Sequence, residues 1–227
     1  MSNIPIIISM LFVVTAFLTV WMFYKASGNS KPLLMGILAW MLFQATISLT
    51  GFYQILNSMP PRFLLLIGPG IIISILLFVT KWGKEFIDKL DLKTLTIMHS
   101  IRIPVEITLY FVYLTGLIPV LMTFEGNNFD IISGITAPLI FYFVFIVKKL
   151  NRTALLIWNI LCSGLLLNVV VIALLSAQTP FQKLAFDQPN IGVTFFPFVW
   201  LPSVVVPIVL IGHLAAIRQL LKMNRKN

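Results

Sequence analysis

The chain has 227 residues, of which 59% are hydrophobic and only 10% charged, with a formal net charge of +9. A soluble domain carries about 25% charged residues, and a water-soluble fold of this length has too little interior to hide so much apolar surface, so lipid must cover part of it. The basic residues sit in short clusters between apolar runs, not on one soluble face, which excludes a nucleic-acid surface and fits Lys and Arg flanking membrane spans.

A spanning helix needs about 20 mostly apolar residues. The sequence predicts the first at residues 4–24, closed by Lys25 and the polar stretch 26–31. It lacks a basic leader and a small-residue cleavage site, so it is expected to be a retained helix and not a signal peptide. A second span, 33–55, ends in the polar stretch 57–62 with Pro60-Pro61. The third, 63–80, holds Gly68-Pro69-Gly70, expected to kink the helix, with a broken helix lining a cavity as the alternative.

Residues 81–93 are the most charged segment. Phe86, Ile87 and Leu90 oppose Lys84, Asp88 and Asp91 at helical spacing, which predicts a short helix at the membrane surface or an extension of the fourth span. The fourth span is expected at 94–122, the fifth at 131–147, the sixth at 153–177 and the seventh at 191–221. The last carries Pro197, Pro202 and Pro207, which predicts a bent helix whose unpaired carbonyls are buried in protein.

The predicted fold is therefore all-α: an integral membrane protein forming one seven-helix transmembrane bundle over residues 1–227. Thirteen Lys and Arg fall in one set of connections: 25/31, 81/84/89/93, 148/149/152 and 218/222/225/226. Only Arg62 and Lys183 fall in the other. The N-terminus is then expected outside and the C-terminus in the cytoplasm. The sequon Asn151-Arg152-Thr153 falls on the cytoplasmic side, where it would not be glycosylated. Cys162 is the only cysteine, which excludes an internal disulfide and a cysteine metal site and leaves a small hydrophobe in a helix.

Within the fourth span, His99, Arg102 and Glu106 are spaced i, i+3, i+7 and share a helix face, continued by Tyr110 and Tyr113. From His99 to Tyr113 the track is about 21 Å long at 1.5 Å per residue. A charge near the bilayer centre is costly, so Glu106 is expected to face the bundle and pair with Arg102 or share a proton with His99. The opposing expectation is that His99 and Arg102 lie at the interface and snorkel, with Glu106 as a shallow partner.

His213 on the seventh span lies at a depth similar to His99. Together they admit haem or metal ligation, although no cofactor is predicted and a structural, hydrogen-bonded histidine is the default. At the outer surface, Glu125, Asp130 and Asp187 are candidates for a cation-attracting mouth, with capping as the competing role for Asp130 and Asn190. Gln44, Ser48, Gln54, Asn159 and Ser163 are expected to hydrogen-bond between helices.

No predicted span contains a lysine, which excludes a retinal Schiff base, and no HExxH, GxSxG, paired-Asp or Walker motif occurs. The leading expectation is a small transporter-like or ligand- or ion-binding membrane bundle with its polar site on the fourth helix. Its partners are the bilayer and a small molecule or cation, and it sits in a cell membrane, with a bacterial inner membrane the best fit. The alternatives are an intramembrane enzyme acting on a lipid or isoprenoid, with Glu106 or His99 as acid/base, and a structural or sensory subunit.

Overall fold

The structure is a computed structural model that describes residues 4–55 and 61–224. Pro60 of the predicted breaker, and Arg225 and Lys226 of the basic tail, lie outside the described residues. The described residues form helices joined by turns, without strands, and one isolated bridge pairs Ala177 with Asn190.

Five helices are long and apolar enough to cross a membrane. They are α1 (Ile6–Ala26), α2 (Lys31–Leu49), the continuous Leu92–Leu114, α8 (Arg152–Ser176) and Leu201–Met223. Leu92–Leu114 comprises α5 (Leu92–Met98), the 3-10 turn His99–Ile101 and α6 (Arg102–Leu114); the last helix begins as a π-helical turn, Leu201–Val205, and continues as α9 (Val206–Asn224). Two shorter apolar pieces complete the set. One is α3 (Leu64–Val79), which turns by 90° into α4 (Lys81–Asp88). The other is α7 (Ile131–Phe141), extended by a π-helical turn Tyr142–Ile146. Leu42, Leu49, Ile72 and Ile75 are among the large apolar side chains left on the outside of the bundle.

The fourth and last predicted spans are the most enclosed. α1 packs on α5 and α6, α7 on the 3-10 turn and α6, and α8 and α3 on the last helix. Their boundaries differ from the sequence expectation. The fourth helix stops at Leu114, not Met122, because Gly116 takes a left-handed conformation (φ +80°) and Pro119 follows. The second stops at Leu49, just before Gly51 (φ +76°). The seventh begins at Leu201, not Ile191: a 3-10 turn, Gly192–Thr194, and further turns precede it, with Pro197 before the helix instead of inside it. That stretch is apolar because Val193, Phe198, Val199 and Trp200 are buried, and hydropathy reports burial, not helicity.

Two internal prolines, Pro69 and Pro207, are bridged by α2. Pro69 has no N–H to bond the Leu65 carbonyl one turn back, and Gln44 Nε2 donates to that oxygen instead at 3.3 Å. Pro207 likewise frees the Ser203 carbonyl, which accepts from Trp40 Nε1 at 3.0 Å. Trp200 Nε1 returns a bond to the Met41 carbonyl at 2.9 Å. α3 thus runs unbroken through Pro69, contrary to the broken-helix alternative. Gly70 is required by close approach, since a Cβ there would enter the Pro207 ring.

α4 is a separate helix and not an extension of the fourth span. Thr80 caps it, accepting from Gly83 N at 3.0 Å, and a Cβ on Gly83 would collide with the Leu77 backbone at the corner. Asp91 caps α5, accepting from Thr94 N at 2.9 Å. Asn151 of the sequon caps α8, accepting from Ala154 N at 2.9 Å. At the same end of the molecule, Arg218 Nε donates to Asp88 at 2.9 Å and Lys222 Nζ at 2.6 Å. Gln219 Nε2 donates to the Ile87 and Leu90 carbonyls that end α4. At the opposite end, Ser48 donates to the Thr194 carbonyl at 2.8 Å and Gln188 to those of Tyr113 and Ile118, knitting three connections together.

Two outcomes follow. Gly70→Ala is expected to lower stability by about 1–3 kcal/mol through overpacking, while Gly68→Ala, where a Cβ meets nothing within 4 Å, leaves it unchanged or raises it by up to about 1 kcal/mol; denaturation of purified protein in detergent compares them. Partial burial pushes Asp88 up, but the hydrogen bonds and charges of Arg218 and Lys222 outweigh it and hold the carboxyl below the ordinary carboxylate range. A depressed carboxyl stabilises the fold above its unfolded value, about 3.9, and loses that contribution as the pH falls further. Hydrogen-exchange protection of α4, taken relative to the intrinsic rate at each pH, should therefore fall on acidification through that range in the native chain, and be low already at neutral pH in Asp88→Asn.

Candidate functional site

Pro104 shapes the start of the site. It cannot donate to the Ser100 carbonyl, and the chain passes through the 3-10 turn His99–Ile101 before α6 begins. In a 3-10 turn residues i and i+3 eclipse, so His99 and Arg102 project in nearly the same direction. Both are enclosed, at 0% and 2% exposure. They do not snorkel to an interface, because α7, α8 and the last helix close over them.

Two glycines bring those helices in. A Cβ on Gly134 of α7 would lie 2.9 Å from Ile103 Cγ1 and 3.2 Å from Arg102 Cβ. A Cβ on Gly212 of α9 would lie 3.0 Å from Met98 Cε and 3.4 Å from His99 Cε1. The fourth and last spans are therefore in direct contact, which the sequence alone leaves open.

Arg102 is the hub. Its Nη1 pairs with Asp130 Oδ1 and donates to the Cys162 carbonyl at 3.4 Å; its Nη2 lies 3.1 Å from His213 Nε2. A guanidinium only donates, so His213 Nε2 is the acceptor and its proton sits on Nδ1. That proton goes to Asn159 Oδ1 at 2.8 Å, and Asn159 Nδ2 donates to the Leu155 carbonyl. One donor at Arg102 thus fixes the tautomer of His213 and the orientation of Asn159. His99 stacks face to face on His213, ring centroids 3.7 Å apart and 7° from parallel. Trp158 stands edge-on to both rings and donates to Thr136 Oγ1 at 2.9 Å. Among the described residues neither ring nitrogen of His99 has a hydrogen-bond partner, nor does Arg102 Nε.

The expected pairing of Arg102 with Glu106 is replaced. Arg102 takes Asp130, brought from the 123–130 connection, and Glu106 has no ion-pair partner among the described residues. Asn128 Nδ2 instead lies 2.8 Å from both Glu106 oxygens and 3.0 Å from the Met122 carbonyl, while Asn128 Oδ1 accepts from the Asp130 N–H at 3.0 Å. Glu106 is 2% exposed and faces a cavity of about 70 Å³ that Asp130 also lines. Asn190 also lines it, and the remaining walls are apolar, including Leu109, Leu166, Val169 and Val193.

Asp130 stands at the start of α7 but does not cap it with its side chain, because Arg102 claims the carboxylate. Glu125 and Asp187 are exposed on the surface while Asp130 is buried, so the three do not form a shared mouth. Tyr110 and Tyr113 do not extend the buried stripe. Leu109 and Val112 fill the enclosed face beyond Glu106, and Tyr110 stacks on Phe124 at 5.0 Å where the chain folds back. Asn190 begins no helix: its N–H bonds the Ser176 carbonyl and its Nδ2 the Ala173 carbonyl, closing the end of α8.

The histidine rings lie in nearly parallel planes, so their nitrogens do not aim at one point. Among the described residues no three His, Cys, Asp or Glu side chains group as metal ligands. Sequence reasoning missed Asn128 and Ser133, whose Oγ lies 3.4 Å from Asp130 Oδ1. Their only signal is nearness to Asp130 in the chain.

The family described as a domain of unknown function (DUF8737) matches residues 59–221, most of the chain, and the protein belongs to it. No curated protein and no solved structure matches the chain. The match contains every residue of the buried cluster and leaves α1 and α2 outside it.

Removing Asp130 should be far more damaging than neutralising Glu106. Asp130→Ala strands a buried guanidinium and is expected to cost about 3–5 kcal/mol. Glu106→Gln keeps an acceptor for Asn128 and is expected to stay within about 1 kcal/mol. Equilibrium unfolding in mixed micelles compares the two directly.

Proposed function

We propose that this member of the DUF8737 family is a seven-span protein of a cell membrane, N-terminus outside, that binds a proton or small cation at Glu106 and works as a small transporter. The observation that carries the reading is the position of Glu106: buried, held only by a neutral amide, and lining a cavity. An ionised carboxylate in that place is the one uncompensated charge of the cluster, because Arg102 is already matched by Asp130. A buried charge without a partner is strongly disfavoured, so a proton or a cation has to accompany it.

The orientation rests on the basic residues. Lys25, the α4 lysines, Arg218 and Lys222 gather at the end where α4 meets the last helix, and Arg62 and Lys183 belong to the opposite connections. The apolar walls of the cavity favour a second reading, an intramembrane enzyme for a lipid or isoprenoid tail, with Glu106 as the acid/base.

The test is flux in reconstituted vesicles of phosphatidylethanolamine and phosphatidylglycerol loaded with a pH-sensitive dye. Native protein should discharge an imposed proton gradient when a monovalent cation is supplied on the other side, and Glu106→Gln should reduce the rate at least about tenfold, the equivalent of 1.4 kcal/mol. Equal rates for the two proteins would remove Glu106 from the function.

A further inference from the structure

The cavity at Glu106 has a polar composition that selects its ligand. Its walls carry three groups with acceptor oxygens on side chains: Glu106, Asp130 and Asn190. The bonds to Asp130 fall on Oδ1 and its backbone N–H, so Oδ2 is not engaged by them. Asn190 is the independent observation. It is 1% exposed, its Nδ2 is spent on the Ala173 carbonyl, and its Oδ1 is buried with no hydrogen-bond partner among the described residues. Unsatisfied buried acceptors are rare and costly, at roughly 1–3 kcal/mol.

The inner cavity has a neighbour nearer the surface. A second cavity, of about 190 Å³, lies between residues 53–55 and 61–63 on one side and 178–195 on the other, at the end away from α4. Phe63 and Asn190 are wall residues of both this cavity and the inner one. The cation of that vestibule, Arg62, is turned aside: its guanidinium lies 4.3 Å from the Phe52 ring centre and donates to the Phe52 carbonyl.

Resting on the reading of Glu106 as a cation or proton site, we propose that the inner cavity binds a short primary alkylammonium ion in exchange for a proton. Three acceptor groups match the three N–H donors of a primary ammonium, and the apolar walls take its alkyl part. An inorganic ion would instead want more oxygens than these walls offer. The volume limits the chain to a few heavy atoms, since a cavity of roughly 150 Å³ is what holds benzene. The exchange balances in charge and atoms. The Glu106 carboxyl releases its O–H proton to solvent as R–NH3⁺ enters, and the carboxylate and ammonium form the pair that replaces it. No bond of the amine is made or broken.

Calorimetry on purified full-length protein in detergent tests this with methylammonium, ethylammonium, tetramethylammonium and sodium chlorides. Methylammonium and ethylammonium are expected to bind, with one proton released per ion as judged from buffers of different ionisation enthalpy. Their affinity should rise about tenfold per pH unit, the slope for one exchanged proton. Tetramethylammonium, which has no N–H, should not bind. Asn190→Ala should weaken methylammonium about tenfold or more, as for losing a hydrogen bond to a charged group, and Glu106→Gln should abolish both binding and proton release. If either variant fails to fold, the pH slope of the native protein still decides. Sodium binding without either amine overturns the alkylammonium assignment while leaving Glu106 as a cation site. Amine binding without proton release overturns the exchange, and no amine binding overturns the proposal as a whole. The vesicle flux of Glu106→Gln reports separately on the reading beneath it.

Discussion

A guanidinium in the middle of an apolar bundle needs a counter-charge and acceptors, and Arg102 sets the terms for what surrounds it. Its charge is met by Asp130, and Nη1 and Nη2 also reach the Cys162 carbonyl and His213. Each partner comes from a different part of the chain, so the helices that carry them must come close. Gly134 and Gly212 permit that approach where any side chain would push back. The consequence passes outward: His213 is held as an acceptor at Nε2, Asn159 is oriented by its Nδ1–H, and His99 stacks on the ring so positioned. Burying an ion pair adds little stability compared with an apolar core, but breaking one is severe. The cluster therefore specifies one arrangement of α6, α7, α8 and the last helix more than it strengthens it.

The second constraint is the backbone itself. In an environment without water, a carbonyl freed by proline must find a donor inside the protein. α2 supplies two, Gln44 to Leu65 and Trp40 to Ser203, and so braces α3 and the last helix at the points where Pro69 and Pro207 interrupt their ladders. Both braced helices line the inner cavity, through Ile67 on one and Leu201, Pro202 and Val206 on the other. The prolines, the brace and the cavity form one arrangement, and the helix that steadies it lies outside the matched family segment.

The polar interior divides into two halves with different chemistry. Around Arg102 charges are compensated and hydrogen bonds run from group to group. Around Glu106 there is a carboxyl with only an amide for company, an open volume, and the unpartnered oxygen of Asn190. Asn128 joins the halves, holding Glu106 with one end of its amide and the Asp130 backbone with the other. Such a junction lets the state of Glu106 be felt at the Arg102 pair.

The sequence by itself determined that the chain is helical, that several helices are long and apolar enough to cross a membrane and where most of them run, that a short charged helix follows the third, and that His99, Arg102 and Glu106 share a face. Those follow from composition and helical period, which are local. The tertiary structure alone decided which carboxylate Arg102 takes, because Asp130 is 28 residues away along the chain and only the packing of α7 on α6 brings it in. It also decided that His99 and His213 stack, that Tyr110 turns away, and that Asn128 and Asn190, read as loop or capping residues, enter the site. The start of the last helix was illegible for a related reason: residues 192–200 are apolar because they are buried among neighbours, and burial leaves the same mark on a sequence whether or not the backbone is helical.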